Sequence, residues 1–170
     1  MCAEQRQTEV LVETTTTVNG KQVSAKLPAR LHAADFLRQR MGLTGTHVGC
    51  EQGSCGMCTV MVDGEAVKSC LMFAVQAEGC EVTTVEALAP REGLNDLQQQ
   101  AFKDVHALQC GFCTPGFLMT ATGLEWRGQP LSTDEIRAEL AGVLCRCTGY
   151  ESIVTAVSRH LERCGGESGV

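Results

Sequence analysis

Aromatic side chains are scarce in this chain, with one Trp, one Tyr and five Phe among 170 residues. That leaves no stacking platform for nucleic-acid bases or for a flavin ring. Lys and Arg, 14 in all, are outnumbered by 20 Asp and Glu and form no cluster, so a nucleic-acid partner is not expected. No apolar run approaches the ~18 residues that span a bilayer, and the first ten residues, MCAEQRQTEV, lack a basic segment followed by an apolar one. Neither a G-x-G-x-x-G nor a P-loop pattern occurs, which assigns any nucleotide to a partner. What the chain has instead is sulfur: 11 Cys, alongside 18 Gly.

Eight of those cysteines form two tight groups. Cys50, Cys55, Cys58 and Cys70 follow C-x4-C-x2-C with a later fourth ligand, the plant-type 2Fe-2S spacing. They sit in GCEQGSCGMC, where Gly49, Gly53 and Gly56 permit the sharp turns that aim backbone N–H groups at sulfur. An all-cysteine zinc site is the competing reading, but such sites usually pair two C-x2-C knuckles. Cys110, Cys113, Cys145 and Cys147 form the second group, C-x2-C plus C-x-C, which is not a ferredoxin pattern. A C-x2-C redox pair belongs in a βαβ setting, and the setting here is helical. Disulfides suit small secreted domains, whereas 170 residues bury a core without staples; a reducing cytoplasm is the expected compartment.

The pattern predicts an α+β protein with two units, 8–89 and 90–164, joined near Ala89 to Gly93 where strand-like periodicity gives way to helix-like. Val10 to Thr17 and Lys21 to Leu27 are strands around an Asn19-Gly20 turn, and Leu31 to Met41 is a helix stopped by Gly42. Thr59 to Val62 and Glu65 to Ser69 flank Asp63-Gly64 and deliver Cys70 beside the first three cysteines; Val82 to Val85 adds a last strand to a β-grasp sheet. Four helices follow. Asn95 is placed to cap the first, which runs to about Val105. Thr114 is placed as the N-cap of a second reaching Trp126, with Pro115 at its first position. Ser132 and Glu135 form a capping box for a third ending near Ala141, and Ile153, Val154, Val157 and Leu161 make the apolar stripe of the fourth. Helix N-termini facing the second cysteine set would favour the negative charge of a reduced cluster there.

Taken together, GCEQGSCGMCTV with Cys70, QCGFCTPG at 109–116 and CRCTGY at 145–150 resemble the small iron-sulfur subunit of the xanthine oxidase family of molybdenum hydroxylases. The likeness covers Val10 to Arg163. It implies a ferredoxin-like β-grasp domain followed by a four-helix bundle, each with one 2Fe-2S cluster. It further implies that Cys50, Cys55, Cys58 and Cys70 hold the cluster near FAD, and that Cys110, Cys113, Cys145 and Cys147 hold the one near the molybdenum cofactor. Gln109 is implied as a hydrogen-bond partner of the pterin, with Cys147 beside it, and no residue of this chain as catalytic. Substrate oxidation falls to a large molybdopterin subunit of cytosine dinucleotide type. Electrons pass singly to FAD on a medium subunit, in a cytoplasmic dimer of heterotrimers. An N-heteroaromatic compound, an aldehyde or carbon monoxide would be the substrate. A stand-alone iron-sulfur sensor is the rival from another class, but a sensor has no use for Gln109.

Four positions depart from the family pattern. Met57 stands where a small residue is common, Phe112 for Tyr, Val143 for Asn and His47 for Lys. His47 near Cys50 invites a Rieske-like reading, yet all four cysteines are present and His32, His106 and His160 are scattered, so His47 is expected as a loop residue. Cys2 and Cys164 are expected as thiols outside any cluster, Cys80 as a small buried hydrophobe, and 165–170 as a disordered end.

Overall fold

The computed structural model describes residues 9–89, 93, 95 and 97–166. Its first half is a five-stranded sheet, its second half helical. Strands β1 (Leu11–Val18) and β2 (Lys21–Pro28) pair antiparallel with Val18 opposite Lys21. The two-residue loop between them puts both Asn19 (φ 50°) and Gly20 (φ 73°) in the left-handed region. That matches the right-handed twist of the strands, and Asn-Gly is the pair that tolerates it. Asp63 and Gly64 repeat the device between β3 (Thr59–Val62) and β4 (Glu65–Lys68). The last strand, β5 (Glu81–Thr83), lies between β1, to which it is parallel, and β3, to which it is antiparallel, giving the order β2-β1-β5-β3-β4.

The helix packed on this sheet is tighter in extent and looser in winding than its periodicity predicts. A turn of α1 (Ala33–Asp35) continues as a π-helical turn over Phe36–Arg40, and Met41 N–H reaches back to the Phe36 carbonyl. Phe36 and Leu37 from that turn meet Val18, Leu27, Val60 and Val82 in the sheet core. Gly42 ends it at φ 71°. After β4 a 3-10 turn, Ser69–Leu71, carries Cys70. Ser69 Oγ donates to the Cys58 carbonyl at 2.7 Å, tying the fourth cysteine to the third.

In the helical half, a π-helical segment Leu97–Lys103 precedes α2 (Thr114–Arg127), α3 (Thr133–Leu140) and α4 (Glu151–Gly166). Asn95 donates its side-chain amide to the Leu88 carbonyl at 2.7 Å. The second helix corrects its expected cap: Cys113, not Thr114, occupies the N-cap, and Pro115 moves one position inward. A cysteine of the second set thus takes the place a hydroxyl was predicted to fill. Gly128 (φ 62°) closes α2 as expected. Ser132 and Glu135 form the full capping box at α3. Leu97, Phe102, Phe117, Leu124, Ile136, Leu140, Ile153, Val154 and Val157 make the helical core.

Three further expectations need comment. Gly165 and Gly166 belong to α4, so the expected disordered end is helical there, while 167–170 lie outside the described residues. Pro90, Arg91 and Glu92 of the expected joint, and Cys2, also lie outside them. Cys80 is only half-buried: its thiol faces the Gln76 and Glu78 carbonyls, and the neighbouring Asp63 carboxylate, as hydrogen-bond partner, holds it above its ordinary pKa. Among the described residues no helix is long and apolar enough to cross a membrane.

Candidate metal centres

Both cysteine sets assemble, and each does so as two pairs. Cys50 contacts Cys55 and Cys58 contacts Cys70 in the first; Cys113 contacts Cys145 and Cys110 contacts Cys147, with Sγ atoms 3.5 Å apart, in the second. Among the described residues, the group of three ligand atoms that falls within 4.8 Å of one another contains only one cysteine, Cys164, and none of these eight. A tetrahedral zinc with sulfurs at ~2.3 Å would bring all four to about 3.8 Å from one another. Two separated pairs instead suit a binuclear group that takes two thiolates at each metal, which is the fit expected of 2Fe-2S.

The first set is wrapped by backbone. Gln52 and Cys55 donate N–H groups to Cys50 Sγ at 3.5 and 3.3 Å. These bonds, the Gln52 one first, lower the Cys50 thiol to about 7, so sulfur is readily deprotonated there. Cys55, Cys58 and Cys70 are buried, and burial pushes Cys70 up to about 11. An iron that takes up the proton's place relieves that cost, because the bound thiolate is neutralised by metal rather than by hydrogen.

The second set is divided between interior and surface. Cys113 and Cys145 are buried, Cys110 and Cys147 exposed. Burial first, and Cys145 next, raises Cys113 to about 12. For Cys145 burial is the largest single influence and pushes upward. The Thr148 hydroxyl at 3.1 Å and the Thr148 N–H at 3.4 Å lead the opposing hydrogen bonds, and the net direction is down. Tyr150, held at φ 70°, accepts the Cys145 N–H on its phenolic oxygen at 2.8 Å. Thr148 and Tyr150 were quoted in the CRCTGY motif without a role; their contacts need the loop to close, which spacing does not specify. Gln109 is exposed next to Cys110, and Leu108, Phe112 and Leu144 add apolar surface at 41–45% exposure.

The two loops touch. Leu144 N–H donates to the Cys55 carbonyl at 2.9 Å, linking a residue of the first set to the neighbour of Cys145. His47 Nδ1 lies 2.8 Å from the Phe112 carbonyl, and the two rings stack with centroids 4.9 Å apart. Gly56 is pressed against the Gly142 carbonyl and the Val143 Cα, and Gly116 against the Gly56 carbonyl, 2.5 Å from where its Cβ would be. Met57 packs on the helical core. Two of the departures, His47 and Phe112, are thus each other's partners, while Met57 and Val143 fill the seam.

Comparison with known proteins places this architecture. Residues 16–89 match the model of the 2Fe-2S iron-sulfur cluster binding domain, and 84–158 that of a second [2Fe-2S] binding domain. Caffeine dehydrogenase subunit gamma of Pseudomonas sp. (strain CBB1) is 54% identical over 83% of this chain and 86% of its own. The xanthine dehydrogenase iron-sulfur-binding subunit of Escherichia coli O157:H7 is 46% identical over 83% and 89%. The crystal structure of quinoline 2-oxidoreductase from Pseudomonas putida 86 contains a chain with TM-score 0.85 and 48% identity, matched over 94% of this chain and 99% of that one.

Proposed function

This chain belongs to the iron-sulfur subunits of the xanthine oxidase family of molybdenum hydroxylases, and from that premise we propose that it relays single electrons from a molybdopterin centre to FAD, both on partner subunits. It is part of an oxidoreductase and supports electron transfer rather than performing the substrate chemistry. Cys110, Cys113, Cys145 and Cys147 hold the 2Fe-2S cluster on the molybdopterin side; Cys50, Cys55, Cys58 and Cys70 hold the one on the flavin side. Bound there, the clusters supply one-electron carriage.

The observation that carries the reading is the 2.9 Å hydrogen bond from Leu144 N–H to the Cys55 carbonyl. It gives a route from a cysteine of one set to the residue beside a cysteine of the other through one hydrogen bond and backbone. A chain with two unrelated metal sites has no need of that join. The residues around it exclude water: Val143 is buried and Met57 packs on the core. At the outer end, Gln109 and Cys147 are exposed where a pterin of cytosine dinucleotide type would approach, in keeping with the role assigned to them.

The finer proposals follow from the same premise. Residues 8–89 form a ferredoxin-like β-grasp unit, supported by the sheet packed on one helix, and 90–164 a four-helix unit, supported by three α-helices and the Leu97–Lys103 segment. The assembly is a cytoplasmic dimer of heterotrimers with large molybdopterin and medium FAD subunits. An N-heteroaromatic compound is the substrate we favour over an aldehyde or carbon monoxide, because relatives are named for caffeine, xanthine and quinoline.

EPR of the dithionite-reduced protein, purified anaerobically from its native source, tests the reading alongside iron, sulfide and molybdenum assays. Two distinct 2Fe-2S signals with about four iron per chain and molybdenum in the same preparation are expected. Zinc in place of iron, or one cluster without molybdenum, overturns it.

A further inference from the structure

Apart from the eight cysteines, three metal-ligating side chains converge where the C-terminal parts of α2 and α4 meet. Glu125 Oε2 lies 3.0 Å from His160 Nε2; Cys164 Sγ lies 3.6 Å from the same nitrogen and 3.7 Å from Glu125 Oε1. All three ligand atoms fall within 4.8 Å of one another. His160 and Cys164, four residues apart on α4, share a helix face, and His160 is buried. Neither residue was assigned a role from sequence; the H-x3-C spacing was the available signal.

Two simpler readings fail on geometry. A Cys-His-acid nucleophile would set the thiol on one ring nitrogen and the carboxylate on the other. Here both face Nε2, and Nδ1 is buried without a hydrogen-bond partner. A Glu–His ion pair explains two of the groups but leaves sulfur crowding a nitrogen already engaged. A cation explains all three. Bonds of ~2.3 Å to sulfur and ~2.0–2.1 Å to nitrogen and oxygen, at tetrahedral angles, separate ligand atoms by about 3.3–3.6 Å. The Cys164–His160 distance of 3.6 Å matches. Glu125 meets His160 through Oε2 and Cys164 through Oε1, so a carboxylate rotation brings one oxygen to both, with the Glu125–His160 separation opening by about 0.3 Å.

We propose that Glu125, His160 and Cys164 bind a divalent, zinc-like cation that clips the end of α4 to the end of α2. One sulfur, one nitrogen and one oxygen suit a borderline metal and disfavour calcium or magnesium, which take oxygen alone. Glu125 and Cys164 also line a cleft of about 600 Å³, which leaves a fourth position for water. Along α2, Glu125 is twelve residues beyond Cys113, ~18 Å of helix, so the cation is separate from the cluster thiols. With Nε2 on the cation, the imidazole proton sits on Nδ1, where no acceptor waits. Affinity is therefore lower than in sites whose histidine is backed by a carboxylate, by about 10- to 100-fold.

The test uses the iron-replete protein with whatever subunits accompany it, equilibrated with zinc and desalted. Zinc is then assayed by mass spectrometry and its neighbours by zinc-edge X-ray absorption. About one zinc per chain with a single sulfur neighbour and lighter nitrogen or oxygen neighbours is expected. It should be lost in Cys164→Ser and in Glu125→Gln, with cluster absorbance unchanged. Equal zinc in the native protein and both variants, no zinc at all, or zinc with sulfur neighbours only overturns the proposal. If Cys164→Ser does not fold, Glu125→Gln, at a half-exposed carboxylate, decides alone.

Discussion

The two cysteine sets solve one problem with opposite materials. In the first, a glycine-rich loop folds around the sulfurs and buries three of the four. In the second, a helix N-cap and a short loop place two sulfurs in the core and leave two at the surface. The first is a wrapped site whose donors are its own backbone N–H groups. The second is a split site, half core and half exposed, and Leu108, Phe112 and Leu144, close to its cysteines along the chain, are exposed as well. A loop can enclose a group completely because it supplies donors from every direction. Helix ends cannot, and two of the four sulfurs stay exposed.

The contrast breaks most visibly at the buried ligands. Cys58→Ser and Cys113→Ser should each erase one 2Fe-2S EPR signal and leave the other, with iron falling from about four to about two per chain. Loss of both signals from either variant would mean that the two sites form one folding unit. The next largest effect lies in the seam. Gly56→Ala puts a methyl into the Gly142 carbonyl at φ 72°, and Gly116→Ala one into the Gly56 carbonyl. Each should cost about 2–4 kcal/mol in thermal or denaturant unfolding, from clash and, at Gly56, left-handed strain. Gly142→Ala, whose nearest contacts would be Lys68 Nζ at 3.8 Å and Glu139 O at 3.9 Å, should stay within about 0.5 kcal/mol. Equal losses in all three would remove the steric explanation.

His47→Ala deletes the bond and the stack to Phe112 and should cost about 1 kcal/mol. Freeze-quench EPR of electron transfer between the clusters would sharpen the comparison: a slowed rate with both signals intact means the loops have parted. An effect of similar size is remote from either site. Ser132→Ala should cost about 1 kcal/mol at the α3 cap. Ser132, by hydroxyl and then by N–H, holds the Glu135 carboxyl below its ordinary value. Its stabilisation is therefore present above the normal carboxylate range and lost as pH falls through the lowered value. Unfolding temperature against acid pH should fall more steeply in the native protein than in Glu135→Gln.

Much of this was legible in the sequence because it is written in local rules. Asn19-Gly20, Asp63-Gly64, Gly128 and the Ser132–Glu135 box each specify a backbone conformation within four residues, and each is where it was expected. The two cysteine groups read from spacing also lie together in the fold. What spacing could not say was how the sulfurs pair, which are exposed, or that Cys113 would displace Thr114 as the cap. Those depend on contacts across tens of residues. The same holds for Cys164, expected as a thiol outside any cluster and found facing Glu125 and His160, and for Cys80, whose thiol meets Asp63 from the distant β3–β4 turn. The π-helical winding of Phe36–Arg40 escaped notice for a different reason: its apolar spacing still satisfies a 3.6 period closely enough.

The bare backbone seam at Gly56, Gly116 and Gly142 bears on modularity. Two separate signatures invite exchange of the halves, and a chimera cut near residue 90 is the direct graft. The seam makes each half a mould of the other. A grafted half that brings a side chain to position 56 or 116 arrives with its contour already wrong, whatever its cysteines do. Interchange between relatives should succeed between chains that keep glycine at both positions, and fail, with loss of iron, where either is filled.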